Sequence, residues 1–237
     1  LLAAIGLMIM DQSMKNAMSP VVLQTPGSIP ESLNGVHQVI QIRDEGQLDS
    51  IYIDVPDSRF CVLFCHNLDG HLYMRVPILE KLQEMGLSVL AVDFRGFGAS
   101  SPVEITDETL QMDLKYAFDA VLRKRWNPAQ IILYGQGLSA GIQGLMPEGK
   151  TFGGWILDNP VPSLSDASAD RLTRALTEGR LSLYDQLASF SGPVMTVIDP
   201  VTFPDTFRTA LSHVHPGVRF CESQGRRIPG SWETADW

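Results

Sequence analysis

The sequence predicts an α/β domain built on a mostly parallel sheet. Short runs rich in Val, Ile, Leu and Phe alternate with stretches whose apolar residues recur at helical spacing. Several of the short runs are apolar at every position, as expected for strands covered on both faces. The alternation starts only after two Val/Ile/Tyr-rich runs that face each other across a turn, so an antiparallel hairpin is expected to precede the parallel part, with helices on both faces.

Residues 36–43 and 48–55 read as that hairpin. Asp44-Glu45-Gly46-Gln47 supplies the turn. Residues 60–65 form a continuous apolar strand, and 72–85 a helix with Val76, Ile78, Leu79 and Leu82 on one side. Another buried strand, 87–94, leads to a helix over 110–125 that carries Leu114, Ala117, Phe118, Val121 and Leu122. Strand 131–134 runs straight into a Gly-rich turn and a small-residue helix, 138–146. Then come strand 155–157, a helix over 169–187 interrupted near Gly179, strand 194–198, helix 205–212 and strand 218–221. Sites on such sheets lie at the carboxyl ends of the strands.

Composition narrows the function classes. Eighteen basic residues against 27 acidic ones give a net charge of −9 in 237 residues. A protein that binds nucleic acid by neutralising phosphates would need the opposite balance. Three cysteines are too few for a disulfide scaffold, and buried free thiols are the expected state of Cys61 and Cys65. Residues 1–10 are entirely apolar, yet a bilayer span needs about 20 residues. A docked helix, the end of a signal peptide and the stub of a membrane anchor all fit this stretch. Residues 1–35 therefore read as an apolar segment and linker, and 36–237 as the domain. The apolar start fits membrane association or export; without either, the chain reads as cytoplasmic.

The carboxyl ends of the strands carry recognisable motifs. Val62-Leu63-Phe64-Cys65-His66-Asn67-Leu68-Asp69-Gly70 is a strand followed by a polar loop. Ala91-Val92-Asp93-Phe94-Arg95-Gly96-Phe97-Gly98-Ala99-Ser100 contains D-x-R-G-x-G-x-S. Residues 131–141 hold the strand-to-helix turn, and Trp155-Ile156-Leu157-Asp158-Asn159-Pro160 with Ser163 forms the strand that follows. Together these resemble the α/β-hydrolase superfamily, and within it the small lidless, often membrane-anchored group related to serine aminopeptidases and monoacylglycerol lipases. The resemblance covers residues 36–225 and implies an α/β-hydrolase fold. It also implies an oxyanion loop at His66, Asn67 and Leu68, and a nucleophile elbow near Gln136, Gly137 and Leu138.

The family's catalysis needs a Ser at the elbow, a His as base and an acid to orient the His. This chain departs at all three places. Directly after the strand, Gly135-Gln136-Gly137-Leu138-Ser139 puts Gly137 at the nucleophile position. A register shifted by two, Gly137-Leu138-Ser139-Ala140-Gly141, satisfies G-x-S-x-G with Ser139 as nucleophile, and requires the strand to continue through Gly135 and Gln136. No His follows the last strand, since His213 and His215 precede it. Asp199 lies two residues early for the family's acid and reads as a turn or cap residue. The tail 224–237, with Arg226, Arg227, Trp232 and Trp237, falls where the His would lie.

Other chemistries fit less well. Gly135-Gln136-Gly137-Leu138-Ser139-Ala140 also matches G-x-G-x-x-A, with Asp158 as the following acid, but the unit lies mid-chain among hydrolase-like segments. His66, Asp69 and His71 lack metal-ligand spacing, and Arg123-Lys124-Arg125 suits the negative end of a helix dipole. No cofactor and no metal is expected. The expected function is a non-catalytic binding or interaction protein on a hydrolase scaffold that has lost its triad. Its partner would be a small acyl or ester-like ligand, held by the backbone N–H groups of Leu138 and of Asn67 or Leu68, or another protein. The alternative is an active esterase or lipase-type enzyme that uses Ser139.

Overall fold

The computed structural model describes residues 19–143, 146, 151–163, 182–199 and 203–223. Within them, eight strands form one sheet: β1 (Gly35–Gln41), β2 (Gln47–Ile53), β3 (Cys61–Cys65), β4 (Ser88–Val92), β5 (Ile131–Gln136), β6 (Gly154–Asp158), β7 (Val194–Ile198) and β8 (Arg219–Glu222). Their order across the sheet is β8-β7-β6-β5-β3-β4-β2-β1. The pairs β1–β2 and β2–β4 are antiparallel, and every other pair is parallel. The described helices are α1 (Val76–Glu84), α2 (Asp107–Leu122), α3 (Ser139–Gln143), α4 (Leu183–Ser189) and α5 (Asp205–Val214).

Strand alternation divides the core into two layers. In β3, Cys61, Leu63 and Cys65 face one layer, while Val62 and Phe64 face the other. The first layer takes the apolar stripes of α2, α3, α4 and α5, through residues such as Leu114, Phe118, Ala140, Ile142, Leu187 and Leu211. The second takes Ile78, Leu79 and Leu82 of α1. Cys61 and Cys65 are buried free thiols, and burial pushes the Cys61 thiol up to about 12.

Some boundaries differ from the sequence reading for identifiable reasons. The stretch 72–85 divides into a 3-10 turn, Leu72–Arg75, and α1, because Pro77 lacks an N–H and suits the first turn of a new helix. Helix α2 begins at Asp107, three residues before its apolar periodicity starts. There the Thr106 hydroxyl accepts the Thr109 N–H, and Asp107 and Glu108 occupy the positive end of the dipole. The β1–β2 connection contains a 3-10 turn, Arg43–Glu45, closed by the Ile42 N–H donating to the Gly46 carbonyl at 2.8 Å. Strand β5 runs on to Gln136 rather than ending at Tyr134. Of the helix expected over 169–187, residues up to 181 lie outside the described residues, as do 1–18 and the tail 224–237.

Residues 19–34 are bound to the domain surface. Ser19–Pro20 pairs in parallel with Asp69–Gly70. The Leu23 N–H donates to the Gly98 carbonyl at 2.7 Å, and the Gly98 N–H returns a bond to the Val21 carbonyl at 2.8 Å.

Candidate active site

Gly137 is the apex of the turn from β5 into α3. Its φ of +53° lies in the region that favours glycine. Its N–H donates to the Asp158 carbonyl at 2.9 Å, and its own carbonyl accepts the Val161 N–H at 3.1 Å, so the turn is fixed against β6 and the segment after it. A sharp strand-to-helix turn of this kind is where an α/β-hydrolase presents its nucleophile. The strand passes through Gly135 and Gln136, as the shifted register requires. The positive φ nevertheless falls at Gly137, and Ser139 already belongs to α3.

Asn67 occupies the space in front of this turn. Its Oδ1 accepts the Leu138 N–H at 3.0 Å. A Cβ built on Gly137 would overlap the same carboxamide, lying 2.6 Å from the Asn67 Cγ. The Leu138 N–H, expected to hold a ligand oxygen, is thus satisfied by a neighbouring side chain in this structure. Ser139 is fully buried, and its hydroxyl donates to the carbonyl of His66. It thus ties the first turn of α3 to the loop after β3, with its hydroxyl directed into protein. Leu68 is buried in the core layer that holds α2 and α3.

All five histidines are among the described residues. The fully buried His66 ring faces Asp93 Oδ1 through Nε2 at 2.7 Å and the Asn67 carbonyl through Nδ1. Leu72 N–H also donates to Asp93 Oδ1 at 2.7 Å, which fastens the loop 66–72 to the end of β4. His71 immediately precedes the 3-10 turn Leu72–Arg75 without a side-chain capping bond, and burial pulls its imidazole below the ordinary value. His37 is on β1, paired with Asp49. His213 and His215 lie at the end of α5, ahead of β8. Because β8 is parallel to β7, that is the amino end of the strands, opposite the elbow. Asp199 directly follows β7 at the carboxyl end, and its N–H donates to Asn159 Oδ1 at 2.8 Å.

A buried polar cluster lies beneath the elbow. Asp158, at the end of β6, accepts from the Tyr134 hydroxyl at 3.0 Å, from Gln136 Nε2 at 2.8 Å and from Asn159 Nδ2 at 3.0 Å. All three donors are neutral. Burial pushes the Asp158 carboxyl up from its ordinary value, and these bonds together with the field of Arg75 only partly oppose it. Gln136 Oε1 and Arg75 Nε are buried with no hydrogen-bond partner among the described residues. Arg75 is held through Nη2 to the carbonyl and carboxylate of Asp69.

The D-x-R-G-x-G-x-S turn positions this loop system. Arg95 is buried, and its Nε and backbone N–H donate to the two oxygens of Asp113 on α2 at 2.6 and 2.7 Å. Ser100 Oγ donates to the Asp93 carbonyl and accepts the Asp49 N–H, both at 2.7 Å. Gly98 has φ +52°, and a Cβ there would overlap the Asp93 carboxylate.

Asn67, Gln136, Gly137 and Leu138 lie together as the motifs predict, but Asn67 acts through its side chain rather than its backbone. The grouping of Tyr134 and Asp158, with Arg75 acting on Asp158 through its field, is not evident from the motifs. The accessible signal was Asp158, a carboxylate at a strand's carboxyl end with Tyr134 and Gln136 at alternate positions of the neighbouring strand. No group of three or more His, Cys, Asp or Glu side chains among the described residues could hold a metal ion.

No family model matches the chain. An uncharacterized protein of Acanthamoeba polyphaga mimivirus is 30% identical over 116 residues, which is 48% of this chain and 38% of its own length. An uncharacterized protein of Mycobacterium tuberculosis is 28% identical over 221 residues, 84% of this chain and 78% of that protein. The phosphatidylserine lipase ABHD16A of Homo sapiens is 23% identical over 257 residues, 92% of this chain and 44% of the lipase. The chain thus spans less than half the length of the mimivirus protein and of the human lipase. Among solved structures, an α/β-hydrolase from Vibrio vulnificus matches with a TM-score of 0.70 at 17% identity, over 83% of this chain and 76% of that one. An esterase of Pyrococcus furiosus matches with a TM-score of 0.66 at 20% identity, over 89% of both chains. With its strand order, its two antiparallel pairs and its Gly137 turn, the chain has the α/β-hydrolase fold.

Proposed function

We propose that this chain uses the hydrolase scaffold without serine-hydrolase chemistry and acts as a non-catalytic binding or interaction protein. The observation that carries the reading is the Asn67 carboxamide, which takes up both the space beside Gly137 and the Leu138 N–H. Acyl transfer needs a nucleophile at that apex and free donors aimed at the developing oxyanion. Gly137 offers no nucleophile, and the donor after it is satisfied from within. Ser139 is a poor substitute, because its hydroxyl donates to the His66 carbonyl and an unassisted Ser is weakly nucleophilic near neutral pH.

The ligand class in this reading is a small acyl or ester-like molecule; the other candidate is a protein partner. Esterases among the structural neighbours and the lipase among the sequence relatives support the acyl class. The net charge of −9 speaks against nucleic acid. The test is equilibrium titration with a medium-chain fatty acid and its nitrophenyl ester. Saturable binding with no turnover above buffer is expected. Turnover that disappears in Ser139→Ala would overturn the reading in favour of an active esterase.

A further inference from the structure

We infer that the open edge of β1 pairs with β1 of a second copy of this chain, antiparallel and centred on Gln38, so that the two sheets join into one. The pairing stands apart from the ligand reading and requires neither turnover nor its absence.

Hydrogen-bond parity fixes which groups face the open edge. The Ile42 N–H donates to the Gly46 carbonyl at 2.8 Å, and this pair continues the β1–β2 register. Opposed residues of an antiparallel pair alternate between bonded and non-bonded, so Val36, Gln38 and Ile40 are the positions bonded to β2. The far side of β2 agrees. There the Asp93 N–H donates to the Asp49 carbonyl at 3.0 Å, so the odd positions of β2 turn towards β4. The N–H and carbonyl groups of His37, Val39 and Gln41 therefore point away from the sheet. Among the described residues no strand lies beyond β1.

The two edges of the sheet are built differently. Strand β8 is four residues long and carries Arg219 and Glu222, the latter paired with Arg208 at 2.8 Å. Short, charged edges resist pairing. Strand β1 is seven residues long and meets β2 without a bulge. Its sequence, Gly-Val-His-Gln-Val-Ile-Gln, holds no Lys, Arg, Asp, Glu or Pro. Val36 and Val39 are 62% and 42% exposed on it, and the His37 ring is turned to Asp49.

The occupant follows from charge and symmetry. A chain of net charge −9 repels its own copies, and β1 is a stretch that brings no carboxylate to the contact. A two-fold axis normal to the sheet keeps each face continuous, so even positions oppose even and odd oppose odd. Centring on Gln38 is the register that pairs all seven residues. Val36 then lies beside the partner's Ile40, and Gln38 beside the partner's Gln38. His37 and Val39 fall opposite the partner's Val39 and the partner's His37, where their outward N–H and carbonyl groups exchange hydrogen bonds. Seven residues a side fall short of the roughly 20–30 of a standard interface, so the pair is weak and forms at high protein concentration.

The test is sedimentation equilibrium of the full chain under reducing conditions, from about 10 μM to about 1 mM. A reversible monomer–dimer equilibrium is expected. Val39→Lys should weaken it by on the order of tenfold, although the added lysine reduces the general repulsion between copies. Cys221→Lys, at an exposed position of β8, should leave it unchanged. A cysteine readout reports the register without a charged substitution. In a Cys221→Ser background, mild oxidation should link Gln38→Cys into a disulfide dimer, because a non-bonded pair on the two-fold axis has Cα atoms about 4.5 Å apart. Val36→Cys should not link, since its two copies lie about 13 Å apart along the strands. A monomer at every concentration overturns the inference and leaves the edge to an extended segment of a different protein. It is equally overturned by association that Val39→Lys does not weaken, by equal loss in Cys221→Lys, or by a disulfide yield no higher in Gln38→Cys than in Val36→Cys.

Discussion

Asn67 Oδ1 and the Leu138 N–H, 3.0 Å apart, join the loop after β3 to the first turn of α3 across the position where a hydrolase would hold its reacting oxygen. The same carboxamide overlaps the place of a Cβ at Gly137. The two positions are therefore coupled. Gly137→Ser should destabilise the fold by about 2–4 kcal/mol, from crowding and from a side chain at positive φ. Adding Asn67→Ala should recover on the order of 1–2 kcal/mol of that loss. A double-mutant cycle measured by urea unfolding checks this, and additivity of the two substitutions would contradict it.

Ser139→Ala should cost about 1–3 kcal/mol, because the buried His66 carbonyl loses its donor. Any trace of ester hydrolysis should be the same in this variant as in the parent. Thermal unfolding and a nitrophenyl ester assay on the same samples report both effects.

The Arg95–Asp113 pair fixes the 93–100 turn to α2, and both side chains are 1% exposed. Asp113→Ala would leave a buried guanidinium without its main partner, so a loss of about 3–5 kcal/mol is expected. Replacing both residues together, as Arg95→Met with Asp113→Leu, should cost less than Asp113→Ala alone. The urea midpoints of the two variants decide the point.

Asp158 gives the protein a pH signature. Burial raises its carboxyl above the ordinary value of 3.8. The folded state therefore keeps a proton that the unfolded chain has already released. The stabilisation from this group is complete below the unfolded pKa and is lost as pH rises through the folded one. As pH rises above the ordinary carboxylate value of 3.8, the unfolding free energy of the parent should fall relative to Asp158→Asn. Parallel curves for the two proteins would contradict the assignment.

The fold was legible because alternation and apolar runs are local signals. The apolar run 194–198 predicts a strand with the bounds of β7, and the runs 60–65 and 87–94 contain β3 and β4. The elbow register was harder. Gly135 and Gln136 are weak strand formers, and β5 extends through them because its ladder with Asp158 and Leu157 continues to that point. The role of Asn67 was not legible. Whether a loop Asn offers its N–H or its side-chain oxygen depends on how closely α3 approaches, and that is set by packing between distant segments. Tyr134, Gln136 and Asp158 came together for a similar reason: strand register placed them on one face, while Arg75 arrived from a separate turn.

The most direct test of the central claim is reaction of the unmodified protein with a fluorophosphonate probe, followed by mass measurement of the intact chain. The filled elbow predicts no adduct after prolonged exposure, with the parent and Ser139→Ala indistinguishable. One adduct per chain in the parent, absent from Ser139→Ala, would show that Ser139 is a working nucleophile and would contradict the account.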